Sequence, residues 1–313
     1  MPFTAKSGKF NASIKTVTIG TGDKAITLGG ENVLPFYTFD APIENAPKVG
    51  IEITDFGMEN EPECVKKYYE GCTTLADIAK KAVSFEGVDF LSFRMEGGDP
   101  NGANKSTEEL MAALKEVADA VDCPLVVAGS KNAERDAELL SKAAEAVQGK
   151  NAVILAAREE NYKTVGAAAG LAYTQIVGAE SSVDINLAKQ LNVLLTQLGV
   201  NASSIAMNVG TAAAGYGYEY VASTMQRVKA AALSQNDTQL QMPIITPVAS
   251  EVWGVKEAVT TEADMPEWGD QERRGVDMEV QTAAADLACG SNAVILKHPT
   301  SIATISKMIK ELV

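Results

Sequence analysis

Eight short apolar runs alternate with Ala-, Lys- and Glu-rich segments of helical period, and this alternation constrains the chain more than any other feature. The runs are VGIEITD from Val49, VDFLSFRME from Val88, PLVVAGS from Pro124, AVILAAR from Ala152, TQIVGAE from Thr174, SSIAMNVG from Ser203, PIITPVAS from Pro243 and AVILKHP from Ala293. Runs that are apolar throughout suit strands buried on both faces, and helices between successive strands impose parallel pairing. Eight such units predict a closed (β/α)8 barrel, an α/β TIM-barrel fold. An open doubly wound sheet is the alternative, but no GxGxxG follows the first run. No linker or low-complexity stretch interrupts the series, so the 313 residues read as one domain, with a barrel over 47–313 and an extension over 1–46.

Local signals support the pattern. SIKTVTIG and DKAITLGG, joined through Gly20, Thr21 and Gly22, read as an N-terminal β-hairpin that plugs one end of the barrel. Ser106-Thr107 opens the helix EELMAALKEVADAV, Asp184 opens one that runs through Leu198 to Gly199, and Thr300 is the expected cap of the last helix.

Each run ends in polar or small residues. These endings are Thr54-Asp55, Arg94-Met95-Glu96, Ser130-Lys131-Asn132, Arg158-Glu159-Glu160, Glu180, Asn208, Ala249-Ser250 and Lys297-His298. In a parallel barrel these ends converge on one mouth, where barrel active sites sit. Helix capping accounts for any one polar ending; eight together predict a polar bowl. Two Gly-rich loops, EGGDPNGANKS after the second run and NVGTAAAGYGYEY after the sixth, would let backbone amides approach a ligand. The stretch 251–275 reads as a long loop at the mouth carrying Trp253 and Trp268, residues suited to a protein interface or to ordinary rim packing.

Several function classes are disfavoured. The net charge of −14 opposes nucleic acid, and no apolar run approaches the roughly 18 residues of a membrane span. MPFTAKSGKF lacks a secretory h-region, and Cys64, Cys72, Cys123 and Cys289 lack CxxC spacing, so a cytoplasmic protein is expected. Cys64 and Cys72 are placed on the first helix, with Cys123 and Cys289 at the bottom of the barrel. The four do not converge on an iron–sulfur site, and buried filler is the better reading. His298 is the only histidine, which disfavours a catalytic transition metal; a structural or surface role suits it better. There is no Walker lysine motif, no GxSxG elbow and no DxHxxG corrinoid signature.

The chain resembles the small subunit of the corrinoid/iron–sulfur protein of the acetyl-CoA pathway. The resemblance is carried by GGENVLPFYTFD after the hairpin, PKVGIEITD, LSFRMEGGDPN, MNVGTAAAGYGYEY, and the block from EVWGVKEA through PEWGDQERRG. It implies a barrel subunit of a heterodimer. A larger partner would carry the iron–sulfur cluster and the corrinoid domain, and the cobalt cofactor would lie between the two. It also implies methyl transfer from methyltetrahydrofolate, through a separate methyltransferase, onto cobalt and on to acetyl-CoA synthase. The residues expected to meet the corrinoid are Arg94, Asp99, Asn101, Lys131, Arg158, Glu180, Asn208, Thr211 and Tyr216; none is expected to be catalytic or to bind a metal. Two other readings stand beside this one. The first is a pterin-binding barrel methyltransferase, with Asn208, Asp55 or Glu180 bonding the pterin. The second is a barrel that only positions its partner.

Overall fold

The structure is a computed structural model and describes residues 8–313. The start of MPFTAKSGKF, residues 1–7, lies outside the described residues.

The hairpin consists of β1 (Val17–Ile19) and β2 (Ile26–Leu28), paired antiparallel. Eight strands follow: β3 (Lys48–Thr54), β4 (Phe90–Arg94), β5 (Leu125–Ala128), β6 (Val153–Ala157), β7 (Ile176–Glu180), β8 (Ile205–Asn208), β9 (Ile245–Pro247) and β10 (Ala293–Leu296). They pair in parallel in the order β8-β7-β6-β5-β4-β3-β10-β9. A single parallel bridge, Met207 to Ile244, joins β8 to β9 and closes the ring, supported by Met207 N–H donating to Pro243 O at 2.8 Å. The helices are α1 (Glu63–Lys66), α2 (Leu75–Ala82), α3 (Thr107–Ala120), α4 (Ala133–Ala146), α5 (Tyr162–Val165), α6 (Ile185–Leu198), α7 (Tyr218–Ser234), α8 (Val248–Val252), α9 (Lys256–Val259), α10 (Gln271–Cys289) and α11 (Pro299–Leu312). A π-helical stretch, Gly166–Ala172, extends α5. The (β/α)8 expectation is met. No helix among the described residues is long and apolar enough to cross a membrane.

The helix ends follow local chemistry. Ser106 and Glu109 form a capping box on α3, and Thr74 and Asp77 form another on α2. Asp184 accepts from Asn186 N–H and Leu187 N–H at the start of α6, and Gly199 ends that helix at φ 108°, a backbone region that strongly favours glycine.

The lumen is filled. Phe90, Val126, Val153, Leu155, Ile176, Ala206, Ile245 and Ile295 form one buried cluster, and Val17, Ile19 and Leu28 of the hairpin close it from below. Gly20 N–H donates to Asn151 O just before β6, so the hairpin covers the N-terminal ends of the strands. The lumen is thereby closed at the end opposite the mouth.

Four details correct the sequence reading. The run from Pro243 forms a strand only at Ile245–Pro247, because Pro247 has no N–H to continue the ladder; Ala249 and Ser250 lie in α8. Cys64 lies in the short α1, but Cys72 sits in the turn before α2, so the two share no helix face. The segment 251–275 is no open loop: it holds α9, a 3-10 turn (Pro266–Trp268) and the start of α10. The cap of α11 is His298, whose Nδ1 accepts from Thr300 N–H at 3.2 Å.

His298 is fully buried, stacked on Trp253 (centroids 5.9 Å apart, planes at 15°) and edge-on to Tyr68 (5.1 Å). Its Nε2 lies 3.3 Å from Glu272 Oε1. The cap requires an unprotonated Nδ1, and burial holds the imidazole below its ordinary value of 6.5 against the pull of Glu272. A histidine depressed in the folded state contributes stability above its unfolded pKa and loses it as pH falls from there toward the folded value. Urea midpoints of the wild type should therefore fall more steeply between pH 6.5 and 5 than those of His298→Asn, which keeps a capping side chain without the titration. Parallel pH profiles would refute this role.

Candidate functional site

The mouth is built by polar side chains on the last residues of buried strands and on the loops just beyond them. Positions two apart along a strand face the same side, so Arg94 on β4, one pleat repeat beyond the partner of Glu52 on β3, reaches back diagonally to it: Arg94 Nη2 and Nε lie 2.9 and 3.0 Å from Glu52 Oε2. Both are buried. Burial pushes the Glu52 carboxyl up, but the Arg94 guanidinium outweighs it and holds the group below its ordinary value.

A second chain of contacts crosses the other half of the mouth. Arg158 Nη2 pairs with Glu180 Oε1 at 2.8 Å, and its Nη1 donates to Lys131 O at 2.8 Å. Asn208 Nδ2 donates to Glu180 Oε2 at 3.0 Å, while Asn208 Oδ1 accepts from Gly210 N–H at 3.0 Å. Lys131, in the left-handed region at φ 71°, reaches across to Glu251 of α8, Nζ to Oε1 2.7 Å. This pair lies between two adjoining cavities of about 210 and 250 Å3. The first is lined by Arg158, Glu180, Asn208 and Thr211 among others, the second by Glu52, Asp99, Trp253 and Lys297 among others; Arg94, Lys131 and Ser250 border both.

Each basic side chain lining these cavities is already paired with a carboxylate: Arg94 with Glu52, Lys131 with Glu251, Arg158 with Glu180, and Lys297 with Glu61, both of whose oxygens lie 2.8 Å from Lys297 Nζ. No imidazole, thiol or phenol lines either cavity. The mouth therefore presents neutralised ion pairs, amides and hydroxyls, with the carboxylates of Glu96, Asp99 and Asp136 among them. It suits a neutral ligand rich in hydrogen-bonding groups better than a phosphate, which needs free cationic donors.

Of the nine residues expected at the mouth, Arg94, Asp99, Lys131, Arg158, Glu180, Asn208 and Thr211 line the cavities. The hydroxyl of Thr211 is committed to Asp286 on α10. Asn101 is exposed in the loop after β4 and bonds only back to Asp99. Tyr216 stands outside the cavities, 47% exposed, with its hydroxyl on Glu257. Asp55 also turns away, held by Lys105 at 2.8 Å and Gly97 N–H at 2.9 Å. Sequence reasoning missed Glu52, whose signal was a lone carboxylate inside an apolar strand run, and Glu251, which gave none. Trp253 packs inward at 8% exposure, whereas Trp268 stays half-buried between Lys256 and Arg274.

The profile of the family described as CO dehydrogenase/acetyl-CoA synthase delta subunit matches residues 16–284. The chain belongs to that family. It is 33% identical over 298 residues to the acetyl-CoA decarbonylase/synthase complex subunit delta of Archaeoglobus fulgidus, covering 94% of this chain and 65% of that protein. It is 31% identical over 296 residues to the corresponding subunit of Methanothermobacter thermautotrophicus, covering 94% and 74%. The chain thus spans less than two thirds of the length of the first of these relatives. Among solved structures it is similar in fold to dihydropteroate synthase from Yersinia pestis with a pterine-sulfa conjugate (TM-score 0.56, 13% identity, 85% of this chain and 93% of that one). It is similar also to 7,8-dihydropteroate synthase from Vibrio fischeri ES114 (TM-score 0.56, 11% identity, 95% and 97%). At such identities the likeness is one of fold, a TIM barrel for this family member too.

Proposed function

We propose that this chain is the barrel subunit of a corrinoid/iron–sulfur methyl carrier, and that its mouth covers a corrinoid held together with a larger partner subunit. That partner would hold the iron–sulfur cluster. A methyltetrahydrofolate methyltransferase and acetyl-CoA synthase would be the donor-side and acceptor-side partners. The reading is carried by the pairing of every basic side chain that lines the cavities. A corrin is fringed with neutral amides, which can exchange hydrogen bonds with Asn208, Ser182 and Ser250 and with the paired carboxylates Glu180 and Glu251. The residues present fit that group, and no imidazole or thiol on this side competes for its metal. When bound, the cobalt supplies the methyl-accepting centre. The chain's own residues contribute orientation and the exclusion of water: the sealed lumen below and the rim of ion pairs leave one dry, shaped face.

The competing reading, a pterin-binding methyltransferase, keeps Asn208 and Glu180 but loses Asp55, whose carboxylate is occupied away from the cavities. One experiment separates them. The chain produced alone should carry neither cobalt nor iron and should not bind methyltetrahydrofolate in equilibrium dialysis; produced with the large subunit, the pair should retain corrinoid. Tight folate binding by the isolated chain would overturn the carrier reading. Asn208→Ala removes one mouth donor and the acceptor of Gly210 N–H. It should shift unfolding by no more than about 2 kcal/mol and weaken corrinoid retention in the heterodimer roughly tenfold, the scale of one hydrogen bond. Unchanged retention would move the contact elsewhere.

A further inference from the structure

The loop between β8 and α7, residues 209–217, carries Gly210 and Thr211 into the wall of the first cavity. It is pinned from behind by one helix. Thr282 Oγ1 on α10 accepts from Ala214 N–H at 3.0 Å. One turn further on, Asp286 accepts from two hydroxyls at once: Thr211 Oγ1 donates to Oδ2 at 2.8 Å, and Tyr218 Oη, at the start of α7, donates to Oδ1 at 3.0 Å. Asp286 has no exposed surface, and neither donor is charged.

The groups around Asp286 supply no counter-charge. From α7 come Tyr218 and Lys229; the Lys229 ammonium is already held by Glu31 (2.8 Å) and Asn292 (3.0 Å). On α10 itself Cys289 lies three residues on and Glu279 two turns back, and both are neutral or anionic. Burial dominates the titration of Asp286, opposed only by the two hydroxyls; no charged group of α8, α9 or α11 takes part. A carboxylate buried with hydroxyl partners alone is costly to ionise.

We infer that Asp286 is a proton-controlled latch on the mouth loop, closed when its carboxyl is protonated and released when it ionises and draws in water. The direction follows from linkage. In the closed arrangement burial raises the carboxyl from 3.8 to about 7. An arrangement that wets it returns it toward the ordinary value. Protons favour the state that binds them more tightly, so the bias toward closure is full below the ordinary carboxylate value, weakens as pH rises, and is lost by about pH 7. The latch would widen or narrow the first cavity whatever ligand enters.

Hydrogen exchange of the amides of 210–218 in the isolated protein tests this, with rates corrected for intrinsic exchange. Protection should fall by up to tenfold per pH unit as pH rises from 5.5 to about 7 and level off above that, while α3 and α4, across the barrel, show no such break. Asp286→Asn stays neutral at every pH and should give a flat profile. Tyr218→Phe, which removes a donor to the ionised form, should shift the levelling-off to higher pH and to lower protection. A wild-type profile with no break, or one that Asp286→Asn leaves unchanged, would overturn the latch. Should the Asn variant fail to fold, the carboxyl 13C shift of wild-type Asp286 decides: no titration between pH 6 and 8 coincident with the loop amides refutes it.

Discussion

Lys229→Met should cost about 3–5 kcal/mol of unfolding free energy, among the largest effects expected of any conservative change in this chain. The ammonium is 2% exposed and meets the Glu31 carboxylate and Asn292 Oδ1. Asn292 in turn donates to Glu31 at 2.8 Å and accepts from Ile244 N–H at 3.0 Å. Burial pushes the Glu31 carboxyl up, but Lys229 outweighs it and holds the group below its ordinary value. Remove the lysine and a carboxylate remains buried with no counter-charge and only the Asn292 amide to offset its desolvation. The double substitution Lys229→Met with Glu31→Leu should recover most of the loss, because replacing a whole buried pair with apolar groups is often nearly neutral. Urea denaturation of the two variants and the wild type is the measurement. A single variant within about 1 kcal/mol of wild type would mean that water reaches the pair.

Gly50→Ala should cost about 3 kcal/mol, at the upper end of overpacking. A Cβ at this position would lie 2.2–2.6 Å from the Phe90 ring, and Phe90 is wholly buried on the neighbouring strand. The ring cannot swing aside without displacing the lumen cluster that the hairpin seals. Phe90→Leu in the same chain should relieve part of the strain, so the double variant should be more stable than the sum of the single changes predicts. Strict additivity in thermal unfolding would place the Phe90 ring elsewhere.

Much of this architecture was legible from the sequence because parallel strands covered on both faces leave unbroken apolar runs, and because Ser106, Asp184 and Gly199 carry cap chemistry that acts locally. The run PIITPVAS shows where that legibility ends. A buried strand and a buried helix are equally apolar, and only the missing N–H of Pro247 separates β9 from α8. The His298 cap is illegible for a similar reason: Thr300 is the commoner capping residue, and Trp253 and Tyr68 pack the imidazole into place instead. At the mouth, the polar strand ends announced a site but not its wiring. Lys131 and Glu251 are 120 residues apart, and no local pattern predicts that pairing. Tyr216 belongs to a Gly-rich loop that follows a polar strand end, yet Glu257 holds it on the outer rim.

The seam between β8 and β9 gives the ring the mechanics of a split washer. Seven of its eight joints are multi-residue ladders, and the eighth is one clasp at Met207. Asn208, beside that clasp, is also part of the cavity wall. Springing the gap by a fraction of an ångström would disturb few hydrogen bonds and would change the bore on the side where the first cavity lies. The barrel can thus be stiff where it is sealed and compliant where it receives.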